Sequence, residues 1–176
     1  FSNMTWLHED VFLPAFKKRF KITHCDKALN LAGVLPTEYL KLRWTYSTGE
    51  AKADNSLWIG KFLAEHGYAD CKPQLSPMPE SLKFDKDEMP TDATQERLIV
   101  KQLLAEKKIG PGSTWPAVTN YADVRSKYRS VVGGFGWVAQ TSHPELQGAH
   151  SMWASQLAAP SYRAFISLQR GLRYAK

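Results

Sequence analysis

The chain has 176 residues, of which 43% are apolar, and its 23 Lys and Arg against 17 Asp and Glu give a formal net charge of +6. That apolar share supports a packed core and excludes a wholly disordered chain, while no apolar run reaches the ~20 residues that span a bilayer. Two cysteines, Cys25 and Cys71, are too few for a disulfide framework and point to a reduced, cytoplasmic protein.

Residues 1–10 lack the apolar stretch of a signal peptide, and Phe1-Ser2-Asn3 ahead of Met4 reads as an expression remnant. Phe12, Phe16 and Phe20 fall four apart and line one face of a helix expected over 13–21, with Pro14 in its first turn. Lys17, Lys18 and Arg19 crowd the opposite side. A second helix is expected over 26–32, ended by Gly33, and a third over 36–43, opened by Pro36. Leu57, Trp58, Phe62 and Leu63 predict an amphipathic helix over 56–66, stopped by Gly67.

From 68 to 91 the prolines Pro73, Pro77, Pro79 and Pro90 predict a linker. Thr91 or Asp92 caps a long helix reaching to 108, followed by a Gly110-Pro111-Gly112 turn. Short helices are expected over 115–121 and 123–131, and Gly133-Gly134-Phe135-Gly136-Trp137 reads as a flexible loop. Two last helices are expected over 144–157 and 161–174. No stretch stands out by strand alternation, and no repeat is present. The expected fold is all-α: a helical unit over 4–67, a linker over 68–91 and a second helical unit over 92–176.

Residues 6–44 resemble the homeodomain-like helix-turn-helix domains of transposases and phage terminase small subunits. The likeness rests on Ala28, Ala32-Gly33-Val34, Leu40 and Arg43. It implies DNA binding by the third helix, with Thr37, Glu38, Lys41 and Arg43 reaching bases or phosphates. Leu35 departs from the pattern, since leucine cannot cap a helix start.

Residues 96–131, with Leu103-Leu104, Lys107-Lys108, Trp115 and Asp123-Val124-Arg125, are similar to FF domains. That likeness implies binding of an acidic or phosphorylated peptide through Lys107, Lys108, Arg125 and Lys127.

In the last helix aromatic and basic residues interleave, and Arg170 and Arg173 are candidates for phosphate contact. His24, Cys25, His66 and Cys71 lack the spacing of a zinc site. Neither a nucleophile elbow nor a phosphate-binding glycine loop is present. An enzyme would have to place its site across the two halves, around Trp137, His143 and His150. The expected function is therefore non-enzymatic nucleic-acid binding, without metal or cofactor. A partner-binding helical module is the alternative.

Overall fold

The computed structural model describes residues 37–39, 42–47, 50–80 and 82–176. They form a mainly helical structure with one small antiparallel sheet, ordered β1 (Thr37–Tyr39), β2 (Leu42–Ser47), β3 (Glu50–Asp54). Five α-helices follow: α1 (Ser56–Glu65), α2 (Ala93–Ala105), α3 (Tyr121–Thr141), α4 (Gln147–Ala154) and α5 (Tyr162–Tyr174). Short 3-10 turns occupy Lys86–Glu88 and Pro144–Leu146.

The sheet corrects two expectations. In the range 36–43 expected to be helical, the described residues 37–39 and 42–43 are strand. Thr37 and Glu38 lie in β1 and Arg43 in β2, where it pairs by register with Glu38 and Asp54. The reason is legible in Leu42-Arg43-Trp44-Thr45-Tyr46-Ser47, which alternates apolar and polar residues and is rich in aromatic and β-branched types. Two residues, Thr48-Gly49, separate β2 from β3, a spacing that suits a hairpin. The helices expected over 13–21 and 26–32, with Lys17, Lys18 and Arg19, lie outside the described residues, as does Lys41.

α3 is the centre of the core. Val124, Tyr128, Val131, Val132, Phe135 and Val138 recur at helical spacing and are buried. The glycines inside it correct a third expectation, because residues 133–137 are mid-helix rather than a loop. Glycine costs a helix about 1 kcal/mol relative to alanine, but here it admits a neighbour. A Cβ on Gly134 would meet the Phe62 ring, with Cζ only 2.6 Å away. Phe62 of α1 instead sets its edge against Phe135, with ring centres 5.7 Å apart.

The boundary expected at 131 is thereby lost, and the short helix over 115–121 is replaced by a turn leading into α3. Asn120 caps α3 by accepting from the Asp123 N–H at 3.0 Å. The helix expected over 144–157 is divided into a 3-10 turn and α4, which ends at Ala154.

Ile59, Phe62 and Leu63 of α1 belong to the same buried cluster as Leu103 of α2, Trp153 of α4, and Phe165, Leu168 and Leu172 of α5. The core thus extends across the segment expected to be a linker. That segment is pinned: the Gln74 N–H donates to the Arg173 carbonyl at 3.1 Å. Three buried aromatics direct their polar groups to backbone carbonyls. Trp115 Nε1 donates to the His66 carbonyl at 2.8 Å, Tyr121 Oη to that of Pro160 at 3.0 Å, and Tyr128 Oη to that of Trp153 at 2.9 Å.

His66 is an exception with a consequence. It is 3% exposed, stacks edge-on against Phe62, and its Nδ1 has no hydrogen-bond partner among the described residues. Burial pushes its pKa down from 6.5 to about 4; the nearby Lys127 charge lowers it further, and Glu65 opposes. The folded state therefore holds His66 neutral, while the unfolded chain protonates it near pH 6.5. Stability is expected to be full above that value and to fall as pH drops from about 6.5 to about 4, flattening below. The loss attributable to His66 is about 3 kcal/mol. Urea titrations of wild type and His66→Gln at pH 7 and pH 4.5 check it: the variant should lose less stability between the two pH values. An identical pH dependence in both proteins would contradict this.

Candidate nucleic-acid interface

α5 divides its residues between two faces. Ala164, Phe165, Leu168 and Leu172 are buried, while Arg163, Ile166, Arg170 and Arg173 recur at three- and four-residue spacing on another stripe. The helix starts at Ser161, whose Oγ accepts from the Ala164 N–H at 3.2 Å. Arg173 lies in the last turn, where the helix dipole favours a cation.

Beside this stripe runs the proline-rich segment. Arg170 Nε donates to the Ser76 carbonyl at 3.2 Å and its Nη2 to Ser76 Oγ at 3.0 Å. From another side, Gln169 Nε2 donates to the Lys108 carbonyl at 3.2 Å, placing the end of the α2 connection next to α5. A groove of about 340 Å³ is left between them. Arg163, Arg170, Arg173 and Lys108 line it, no carboxylate among the described residues does, and Ile166, Leu82 and Pro79 supply apolar surface. Arg173 also borders a second hollow of about 490 Å³ that Asp70, Lys72 and Thr114 line as well.

The four cations differ in what already holds them. Arg170 is engaged with Ser76, and Arg163 Nη1 forms an ion pair with Glu88 Oε1 at 2.6 Å. Arg173 is exposed, and its guanidinium carries no hydrogen bond or ion pair among the described residues. It faces Tyr68, whose pKa is pushed up to about 12 by burial against the opposing pull of the Arg173 charge. That phenol therefore stays neutral beside the arginine.

The sequence candidates are thus only partly gathered. Arg170 and Arg173 share one groove, joined by Arg163 and Lys108. Reading α5 as a helical wheel would have added Arg163; Lys108 comes from a distant stretch, and no local signal marks it for this site. Arg43 lies on β2, and the side chains of Thr37 and Glu38 are outside the described set.

Lys127, expected to face a peptide, instead sits over the Trp115 ring at 5.4 Å, where burial lowers its pKa. His143 pairs with its neighbour Glu145 at 2.8 Å, and His150 packs against Gly136 of α3. A larger hollow, about 620 Å³, lies between α2 and the start of α3, but Glu96, Arg97 and Lys101 give it mixed charge.

Among the described residues no group of three or more His, Cys, Asp or Glu could hold a metal ion. Nor is any helix among them long and apolar enough to cross a membrane. Comparison with family models, curated proteins and solved structures finds no match.

Proposed function

We propose that the chain binds nucleic acid, with the cationic stripe of α5 and Lys108 as its phosphate contact. The observation that carries this reading is the groove in which four cations converge, with no lining carboxylate and no hydrogen bond or ion pair on the Arg173 guanidinium among the described residues. Phosphate backbones are recognised by such groups, and binding releases counterions, so affinity falls with salt. Lys17, Lys18, Arg19, Lys41 and Arg43 remain in this reading as additional contacts by their charge. The rival partner, an acidic protein segment, would meet the same cations but would not share the preference for a polyphosphate chain.

Glu88 makes the reading testable by a gain rather than a loss. Its carboxylate holds Arg163. Glu88→Gln is expected to release that guanidinium to phosphate, strengthening binding roughly three- to tenfold at low salt. It should also steepen the dependence of log affinity on log salt by up to about 0.7 for a single strand. Fluorescence anisotropy of a labelled oligonucleotide across a salt series measures both quantities. No gain and no change of slope would remove Arg163 from the interface.

A further inference from the structure

Resting on that reading, we infer that the α5 groove takes a single strand, seating one unpaired base against the Tyr162 ring while its phosphates meet the arginines. Three observations lead there.

The first is shape. The cations border a concave groove with apolar surface from Ile166, Leu82 and Pro79. A duplex keeps its bases stacked inside and presents phosphates and groove edges, so it has nothing to place on that floor. An unpaired base does.

The second is a fixed aromatic ring. Tyr162 and Ile166, four residues apart on α5, both line the groove. The Tyr162 hydroxyl donates to Glu106 Oε2 at 2.5 Å, which tethers the ring at its far end. Burial, reinforced by that carboxylate, pushes the phenol's pKa up to about 12, so the donor is retained throughout the ordinary pH range. A ring held in place by its hydroxyl offers its face at little ordering cost, which is what base stacking requires.

The third is spacing. Arg163 follows Tyr162 directly, and Arg170 and Arg173 continue along the same stripe. From 163 to 173 the helix rises about 15 Å, a track along which a strand can lay successive phosphates while its base turns inward at Tyr162.

The test uses the full chain and a fluorescein-labelled twelve-residue oligo-thymidine, alone or annealed to its complement. Anisotropy at low salt is expected to show at least tenfold tighter binding of the single strand. Tyr162→Leu keeps an apolar side chain and helix propensity but removes the stacking face together with the hydroxyl that meets Glu106. It should weaken single-strand binding about tenfold or more, within the range for loss of one base stack, and leave duplex binding unchanged. Tyr162→Phe keeps the ring and should retain most of the affinity, which separates stacking from a merely structural role of the hydroxyl.

Equal affinity for the two forms, or an unaffected Tyr162→Leu variant, overturns the single-strand inference and leaves the phosphate interface standing. Binding of neither form overturns the nucleic-acid reading and the inference with it. Displacement of the strand by poly-glutamate as readily as by unlabelled oligo-thymidine of equal charge overturns both in favour of an acidic polypeptide.

Discussion

Trp153→Ala is expected to lower the folding free energy by about 3–5 kcal/mol. Trp153 is fully buried in α4 and lies against Phe135 of α3, with ring centres 5.0 Å apart. Its Nε1 donates to Ser167 Oγ of α5 at 3.0 Å, so truncation opens a cavity and also leaves a buried hydroxyl without that partner. A domain of this kind is stable by roughly 5–15 kcal/mol, so the variant would sit near the edge of folding.

The same packing makes Gly171 sensitive from the other side. A Cβ there would meet the Trp153 ring, with Cζ2 at 2.8 Å, and Phe135 beyond it. Gly171→Ala is expected to cost about 1–3 kcal/mol through overpacking. Gly148 in α4 provides the contrast, because nothing lies within 4 Å of its added Cβ. Gly148→Ala should stabilise by up to about 1 kcal/mol, as helix propensity alone dictates. Urea denaturation followed by circular dichroism gives all three values. A Trp153→Ala variant within about 1 kcal/mol of wild type, or a Gly171→Ala variant as stable as Gly148→Ala, would contradict the packing described here.

Reversing two charges of the groove, Lys108→Glu with Arg173→Glu, is expected to weaken nucleic-acid binding by at least about 100-fold at low salt. Loss of two phosphate contacts should lower the salt slope by about 1.4 for a single strand. The fold should survive, because Arg173 is exposed and Lys108 makes its hydrogen bond to α5 through its backbone carbonyl. Lys61→Glu with Lys101→Glu supplies the control: the same change of net charge at two exposed residues on α1 and α2, away from this groove. If both pairs weaken binding equally, the effect is one of net charge, and the groove loses its special role.

Much of the helical content was legible in the sequence. Asp92, Ser56 and Ser161 mark starts close to the observed ones, and Leu57, Trp58, Phe62 and Leu63 mark the right helix. The failures have physical causes. Glycines 133, 134 and 136 carry a local preference against helix, and only the approach of Phe62 and His150 across the core accounts for the two that contact them. The glycine run therefore read as a loop until its neighbours were known.

The strands from Leu42 to Asp54 were missed for a different reason. The helix expected from Gly33 and Pro36 covers β1 and the first two residues of β2, and the apolar–polar alternation of 42–47 was assigned to no strand. The groove was half legible. Arg170 and Arg173 stand out as basic residues among aromatics, but Lys108 and Leu82 reach them only through tertiary packing, and the Arg163–Glu88 pair joins residues 75 positions apart. Sequence spacing carries no record of such pairings.

The central claim is that the α5 groove is where nucleic acid binds, and amide chemical-shift mapping tests it most directly. Adding oligo-thymidine to the isotopically labelled chain should shift the amides of α5, of residues 72–84 and of Lys108. Shifts confined to the hollow lined by Val100 and Leu104, or an unchanged spectrum at low salt, would contradict it.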